Sequence, residues 1–303
     1  MNSGSANTTP GPASDAEIPD YLRRLGIPGL ADIHVHFMPQ NVLDKVWGFF
    51  DQVGERGEQP WPIEYRTPEE QRVETLARLG VLAYTGLNYP HRAGMAGWLN
   101  EYSARFAAQH PRAVHSGTFF AEPGAGDTVG EAIGAGARVF KVHIQVGAFS
   151  PLDPLLDDAW LALEEAQLPV VIHCGSGPHG GEFTGPRLIG ELLRRHPRLV
   201  LVIAHAGMPE YAEFVELVRA HPNVYLDTTM VGTDYMQSVA PIPERVLADW
   251  KTLGDRMVLG SDFPNIPHSY AHQLAVIAGW GMGDGWMRAV LWENGARLMG
   301  VDG

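Results

Sequence analysis

The chain contains a single cysteine, Cys174, among 303 residues. An internal disulfide is therefore excluded, and the composition fits a reducing cytoplasm. Positive charge is also scarce: 22 Lys and Arg stand against 35 Asp and Glu, for a formal net charge of -13. That balance argues against a nucleic-acid binder, which needs a basic surface to displace phosphate counterions, and against attachment to an anionic membrane for the same reason. No apolar run approaches the roughly 18 residues needed to cross a bilayer. Met1 to Asp15 is rich in Ser, Gly, Ala, Thr and Pro and lacks the basic start and apolar core of a secretory signal. Residues 1–20 read as a flexible extension, and residues 21–303 as one domain with ample length for a large core.

What is present is strand-helix alternation along the whole chain. Short apolar strands such as Leu199 to Ala204 suit a parallel sheet covered on both faces. Helical segments separate them: Thr67 to Gly80, Met95 to Gln109, Asp153 to Gln167, Pro186 to Arg195 and Pro209 to Ala220. The helix after Thr67 carries the marks of a capping box, with Pro68 at its first position and Glu70 closing the box. Three junctions share one form, a helix end followed by His-Pro and an apolar strand, at His110, His196 and His221. The proline stops the helix and the histidine suits its negative end, which assigns these three to the strands' N-terminal rim. Eight alternating units predict an α/β fold of the TIM-type (β/α)8 barrel class, a single domain with an insertion after the first strand. The runner-up, a doubly wound open sheet, would carry a glycine fingerprint in the first strand-helix turn, and none is there.

That insertion, Met38 to Thr67, holds Trp47, Phe49, Phe50 and Trp61. Over a barrel mouth these aromatics would line a substrate pocket or pin the loop to the body.

Chemistry concentrates at the predicted C-terminal strand ends, which meet on one face of a parallel barrel. The first strand, Ala31-Asp32-Ile33-His34-Val35-His36-Phe37, projects His34 and His36 to one side because side chains alternate. The fourth ends at Lys141 and His143, the fifth at His173, the sixth at His205, the eighth at Asp262. Imidazole nitrogen with carboxylate oxygen suits Zn2+ or a similar divalent ion that keeps an open coordination position. Cys174 faces away from His173 on the same strand and reads as a buried, inert thiol. The loop Gly175 to Gly181 lacks the Lys-Ser/Thr ending of a P-loop and reads as an active-site loop.

Taken together, ADIHVHF, FKVHIQ, VVIHCG, LVIAHAG and LGSDFP resemble the metal-dependent amidohydrolase superfamily, in particular the branch containing aminocarboxymuconate semialdehyde decarboxylase. The likeness runs from about Leu30 to Leu298. It implies that His34, His36, His173 and Asp262 hold one divalent metal, usually zinc, and that His205 is a nearby acid, base or water-orienting group. It further implies that Lys141 occupies the position where binuclear members carry a carboxylated, metal-bridging lysine. One metal per chain is the favoured reading, with two as the alternative and an unmodified Lys141 holding a substrate carboxylate. A bound divalent ion lowers the pKa of its water to about 7. Asp262, close to that water, would accept its proton.

The expected activity is hydrolysis of an amide, ester or lactone carbonyl in a small organic acid. A nonoxidative decarboxylase served by the same ligands is the alternative, and a catalytically silent metal-binding barrel the third reading. The partner is a small-molecule substrate; a homo-oligomer is compatible with the sequence.

Overall fold

In the computed structural model of the protein, residues 8–301 are described. The strands are β1 (Leu30–Asp32), β2 (Val81–Thr85), β3 (Ala113–Val114), β4 (Ser116–Thr118), β5 (Val139–His143), β6 (Val170–His173), β7 (Leu201–Ile203), β8 (Val224–Asp227) and β9 (Met257–Val258). Hydrogen-bonded neighbours run in the order β1-β2-β3 and β4-β5-β6-β7-β8-β9, and every pair is parallel. β3 and β4 are two halves of one barrel strand, separated only by His115. The last strand meets the first just beyond their ladders: Ile33 N donates to Leu259 O at 3.0 Å, Asp262 N to His34 O at 2.9 Å and His36 N to Phe263 O at 2.7 Å. The fold is the TIM-type (β/α) barrel expected.

Several local expectations differ from what forms. The first strand stops at Asp32, because from Ile33 onward the backbone bonds alternate between the β9 side and Thr85 of β2 or Leu87 just beyond it. The helix expected from Thr67 begins as Glu69–Arg78 with Pro68 as its cap, and no capping box forms. Glu69, the first residue of that helix, accepts the Tyr102 hydroxyl at 2.5 Å. Asp153 caps a short 3-10 turn by accepting from Leu155 N at 3.0 Å, so the helix behind it runs only over Asp157–Ala166. His110, His196 and His221 are the C-caps of their helices, as the His-Pro junctions predict.

The extension expected over residues 1–20 lies outside the described residues up to residue 7. Beyond that it bonds to the body of the barrel. Asp284 accepts from Thr9 N and Thr9 Oγ1 at 2.7 and 2.9 Å, and Asp15 bonds Tyr65 and Ala271 N at 2.5 and 2.8 Å. The helix Ile18–Leu25 then buries Ile18, Tyr21, Leu22 and Leu25. Apolar burial of this size outweighs the entropy of ordering a short segment.

The insertion after β1 forms a helix, Gln40–Asp51, and lies across the rim where the strands end. The Trp47 and Trp61 indole N–H groups donate to Asn265 Oδ1 and Asn265 O at 3.0 and 2.7 Å, so both tryptophans pin the insertion to the segment that carries Asp262. Among the described residues no helix is long and apolar enough to cross a membrane.

Candidate metal centre

Three side chains meet at the C-terminal rim: ligand atoms of His34, His36 and Asp262 lie within 4.8 Å of one another. The two histidines come from the extended chain beyond β1, where residues two apart share a face. Asp262 comes from the turn after β9 and has a left-handed backbone, φ 68°. Asp is among the few residues that tolerate that conformation. The turn is fixed by the Asp262 N bond to His34 O and by Asn265 N donating to Asp262 O at 2.9 Å. Asp262 starts no helix; the next one is capped by Ser269.

Each imidazole is aimed by its other nitrogen. His34 Nδ1 lies 2.8 Å from Asp227 Oδ2 and 3.1 Å from Thr229 Oγ1. His36 Nδ1 lies 3.0 Å from the Leu87 carbonyl. With Nδ1 of each ring committed to these oxygens, both Nε2 atoms face the centre, the position that ligation requires. There Asp262 Oδ1 sits 2.9 Å from His36 Nε2 and 3.8 Å from His34 Nε2. Burial, reinforced by the Lys141 charge, pushes His34 well below the usual imidazole range, so it is neutral. Burial raises the Asp262 carboxyl, but the His36 hydrogen bond and the surrounding histidines outweigh it and hold the group well below the usual range. Two neutral-capable nitrogens and one ionised oxygen, each with a fixed orientation, fit a divalent cation of the zinc or manganese type.

Lys141 and His205 face the same place. Lys141 Nζ is 2.9 Å from His34 Nε2, and the side chain is buried without a carboxylate in hydrogen-bond contact. Burial brings its amine down to about 8 against the opposing pull of Asp227 and Asp262. His205 follows β7 in a left-handed turn, φ 54°, continued by Ala206 and Gly207. The turn is held by His205 N donating to Asp227 Oδ1 at 2.7 Å, while His205 Nδ1 contacts Thr229 O at 3.1 Å and leaves Nε2 toward His34. The two rings are 5.4 Å apart. Backbone strain of this kind persists where surrounding bonds over-determine it.

His173 stands apart from the three-residue set. Its Nε2 lies 3.2 Å from the Gly177 carbonyl, and its ring stacks on His143 at 3.9 Å. The pairing follows from register, since His143 and His173 are direct partners on β5 and β6. Tyr89, at the end of the β2 segment, completes the wall, 5.0 Å from the His143 ring and 5.7 Å from that of His36. Cys174 is fully buried, and burial pushes its thiol far up, in keeping with an inert role.

Three supporting residues escape sequence reasoning. Asp227 ends a predicted strand on the same rim, and that position was its only signal. Its Oδ1 also accepts Thr229 N at 3.1 Å, so a single carboxylate orients His34, His205 and the Thr229 turn. Asp32 has the same parity as His34 and His36. Its Oδ1 accepts from His34 N and Ser261 N at 3.1 and 3.2 Å, and Oδ2 from the Tyr270 hydroxyl at 2.7 Å. It therefore clamps the segment bearing the histidines to the one bearing Asp262. Burial raises Asp32 to about 6, with the Ser261 and Tyr270 bonds opposing. Gly260 is the third: a Cβ there would stand 2.2 Å from Thr229 Oγ1 and 2.9 Å from His34 Cβ. Only glycine permits that approach.

Residues 31–301 match the profile of the amidohydrolase family, and the chain belongs to that family. It is thus an enzyme of the amidohydrolase superfamily, whose members use divalent metals. No curated protein sequence matches it significantly. Among solved structures, an uncharacterised TIM-barrel protein from Bordetella bronchiseptica superposes with a TM-score of 0.66 at 20% identity, over 89% of this chain and 98% of that one. A 5-carboxyvanillate decarboxylase from Novosphingobium aromaticivorans, solved with manganese and 4-hydroxy-3-methoxy-5-nitrobenzoic acid, gives 0.64 at 14% identity over 91% and 97%. A probable 2-pyrone-4,6-dicarboxylic acid hydrolase from Acinetobacter baumannii, with citric acid bound, gives 0.60 at 15% over 89% and 100%. At these identities the likeness shows the fold.

Proposed function

We propose that the protein is a metal-dependent hydrolase acting on an amide, ester or lactone carbonyl of a small organic acid. The observation that carries this reading is the convergence of His34, His36 and Asp262 at a rim that also receives His205 and Lys141. His34, His36 and Asp262 would hold the cation. His173 is kept as a fourth donor, which requires its Nε2 to exchange the Gly177 carbonyl for the metal. When bound, the metal supplies Lewis-acid activation of water and of the scissile carbonyl.

The protein's own residues supply the rest. Asp262 is the most accessible of the three donors, 19% exposed against 1% and 4%, so its carboxylate is the one placed to take a proton from an entering water. His205, with Nδ1 committed to Thr229 O, has Nε2 left to polarise the carbonyl or to protonate the leaving group. Lys141 places an amine inside the pocket that can pair with a substrate carboxylate as a point charge. Asp227 and Asp32 touch no substrate in this scheme; they fix the positions of the groups that do.

One observation favours a second reading, nonoxidative decarboxylation. The buried Lys141 amine has no carboxylate bonded to it, and the Tyr89 and His143 rings beside it form a wall for a planar acid. The solved decarboxylase among the structural neighbours supports keeping it. The zinc- or manganese-loaded enzyme, screened against lactones, esters, amides and aromatic acids with separate readouts for acid release and carbon dioxide, separates the two. Acid release from one of the first three classes is expected. Carbon dioxide release without any hydrolysis would overturn the hydrolase assignment.

A further inference from the structure

The helix Tyr270–Gly279 begins with backbone N–H groups that its own turns cannot satisfy. Its first three all find partners: Tyr270 N donates to the Tyr65 hydroxyl at 2.6 Å, Ala271 N to Asp15 Oδ1 at 2.8 Å and His272 N to Ser269 Oγ at 3.3 Å. Two of these acceptors come from far along the chain, Tyr65 from the returning end of the insertion and Asp15 from the N-terminal segment. The Tyr65 hydroxyl also donates to Asp15 Oδ2 at 2.5 Å. One Asp15 oxygen therefore holds the helix, and the other holds the side chain that receives the helix's first amide. A carboxylate there also suits the positive end of the helix dipole.

From this junction two routes lead to the candidate metal centre. The Tyr270 hydroxyl donates to Asp32 Oδ2 at 2.7 Å, and Asp32 Oδ1 accepts from His34 N and Ser261 N at 3.1 and 3.2 Å. The Tyr65 ring lies 4.8 Å from that of Phe263, whose carbonyl accepts His36 N at 2.7 Å. One route ends on the backbone of His34, the other on that of His36. Tyr270 and Asp32 are fully buried and Tyr65 is buried, so water cannot replace a bond lost along either. The other anchor of the N-terminal segment, Thr9 on Asp284, lies elsewhere: among the described residues Asp284 bonds to none of Tyr65, Tyr270 and Asp32.

We propose that Asp15 is a positioning residue for the metal centre. Through Tyr65 and Tyr270 it sets the segments that present His34, His36 and Asp262, and it touches neither the cation nor a substrate. The assignment rests on the cation-holding role proposed for those three residues and is the same for either reaction.

The test is chelator-competition titration of the full-length protein with Zn2+, with the visible spectrum of the Co2+-loaded protein as a second readout, both taken well below each variant's melting temperature. Asp15→Ala and Tyr270→Phe should each weaken Zn2+ binding by about two- to thirtyfold and shift the Co2+ bands. The loss in the double variant should fall short of the product of the two single losses, because both changes act along one network. Asp284→Ala releases the same segment at Thr9 and should leave both readouts unchanged, whatever it does to the melting temperature. Should Asp15→Ala fail to fold, Asp15→Asn, which keeps one acceptor oxygen in place of two, should move both readouts in the same direction by less. Parent-like affinity and Co2+ bands in a folded Asp15 variant, or an equal loss in Asp284→Ala, would overturn the assignment. A parent whose Zn2+ affinity is unaltered by His34→Ala/Asp262→Asn would overturn the metal-centre reading, and the assignment with it.

Discussion

Asp227→Asn isolates the orienting carboxylate from everything else at the metal centre. The change is nearly isosteric, and the residue is fully buried against a His34 that is 1% exposed, so no solvent can replace what is lost. In the native protein Asp227 accepts three bonds: from His34 Nδ1 at 2.8 Å, from His205 N at 2.7 Å and from Thr229 N at 3.1 Å. An asparagine has one acceptor atom and one NH2. If its oxygen keeps His34, the NH2 confronts two backbone donors; if it keeps the backbone, the NH2 confronts Nδ1 and drives His34 into the tautomer that points a proton at the metal. Loss of such an orienting partner typically costs ten- to a hundredfold in metal affinity, about 1.4 to 2.8 kcal/mol. The buried donor left unpaired costs about 1–3 kcal/mol of stability besides. Chelator-competition titration with Zn2+ gives the first quantity and calorimetry the second. A variant that binds zinc as tightly as the parent at the His34, His36 and Asp262 site would refute the argument that Asp227 sets the His34 tautomer.

Further outcomes follow from the same geometry. Asp262→Asn removes the proposed proton acceptor and should lower kcat by about 10² to 10⁴ with the circular dichroism spectrum unchanged; retained activity removes Asp262 from that role. Gly260→Ala forces a methyl group against Thr229 and His34, and should cost about 1–3 kcal/mol in denaturant unfolding while weakening metal binding. An unaltered unfolding midpoint would show that the turn has room. His268 is 9% exposed, its Nδ1 contacts Ser269 O at 2.9 Å, and burial pulls it down to about 4, with Ser269, Asp234 and Asp15 opposing and His272 adding to the shift. It therefore stays neutral in the native state while the unfolded chain takes up a proton below about pH 6.5. Stability should fall as pH drops from 6.5 toward 4, by at most about 3 kcal/mol from this residue, and His268→Gln should flatten that part of the curve. Parallel parent and variant urea midpoints across that range would remove His268 as the cause.

The barrel is legible because its signals are local and repeated. Apolar strands, His-Pro junctions and the parity of His34 and His36 each depend on a few neighbouring residues, and all survive in the structure. His34, His36, Lys141, His205 and Asp262 are collected from their strand ends without reference to contacts. The residues that hold them are not, because their role lies in partners far along the chain: Asp227 acts on His34 across 193 positions and Asp32 on Tyr270 across 238. Nothing within either window distinguishes such an aspartate from a surface one. The placement of His173 depends on the Gly177 loop and on stacking with His143 across the β5–β6 register. The contacts of residues 8–20 run to Asp284, Tyr65 and Ala271, partners that the composition of the segment does not name. The expected capping box shows the reverse failure: the local motif of Thr67 and Glu70 is present, but the helix starts at Glu69 and the cap passes to Pro68.

The central claim is that His34, His36 and Asp262 share one cation. Anomalous diffraction from crystals grown with zinc, recorded on both sides of the zinc edge, tests it most directly. A peak is expected about 2.0 to 2.2 Å from His34 Nε2, His36 Nε2 and Asp262 Oδ1. A zinc-saturated crystal with no density among those three atoms would contradict it.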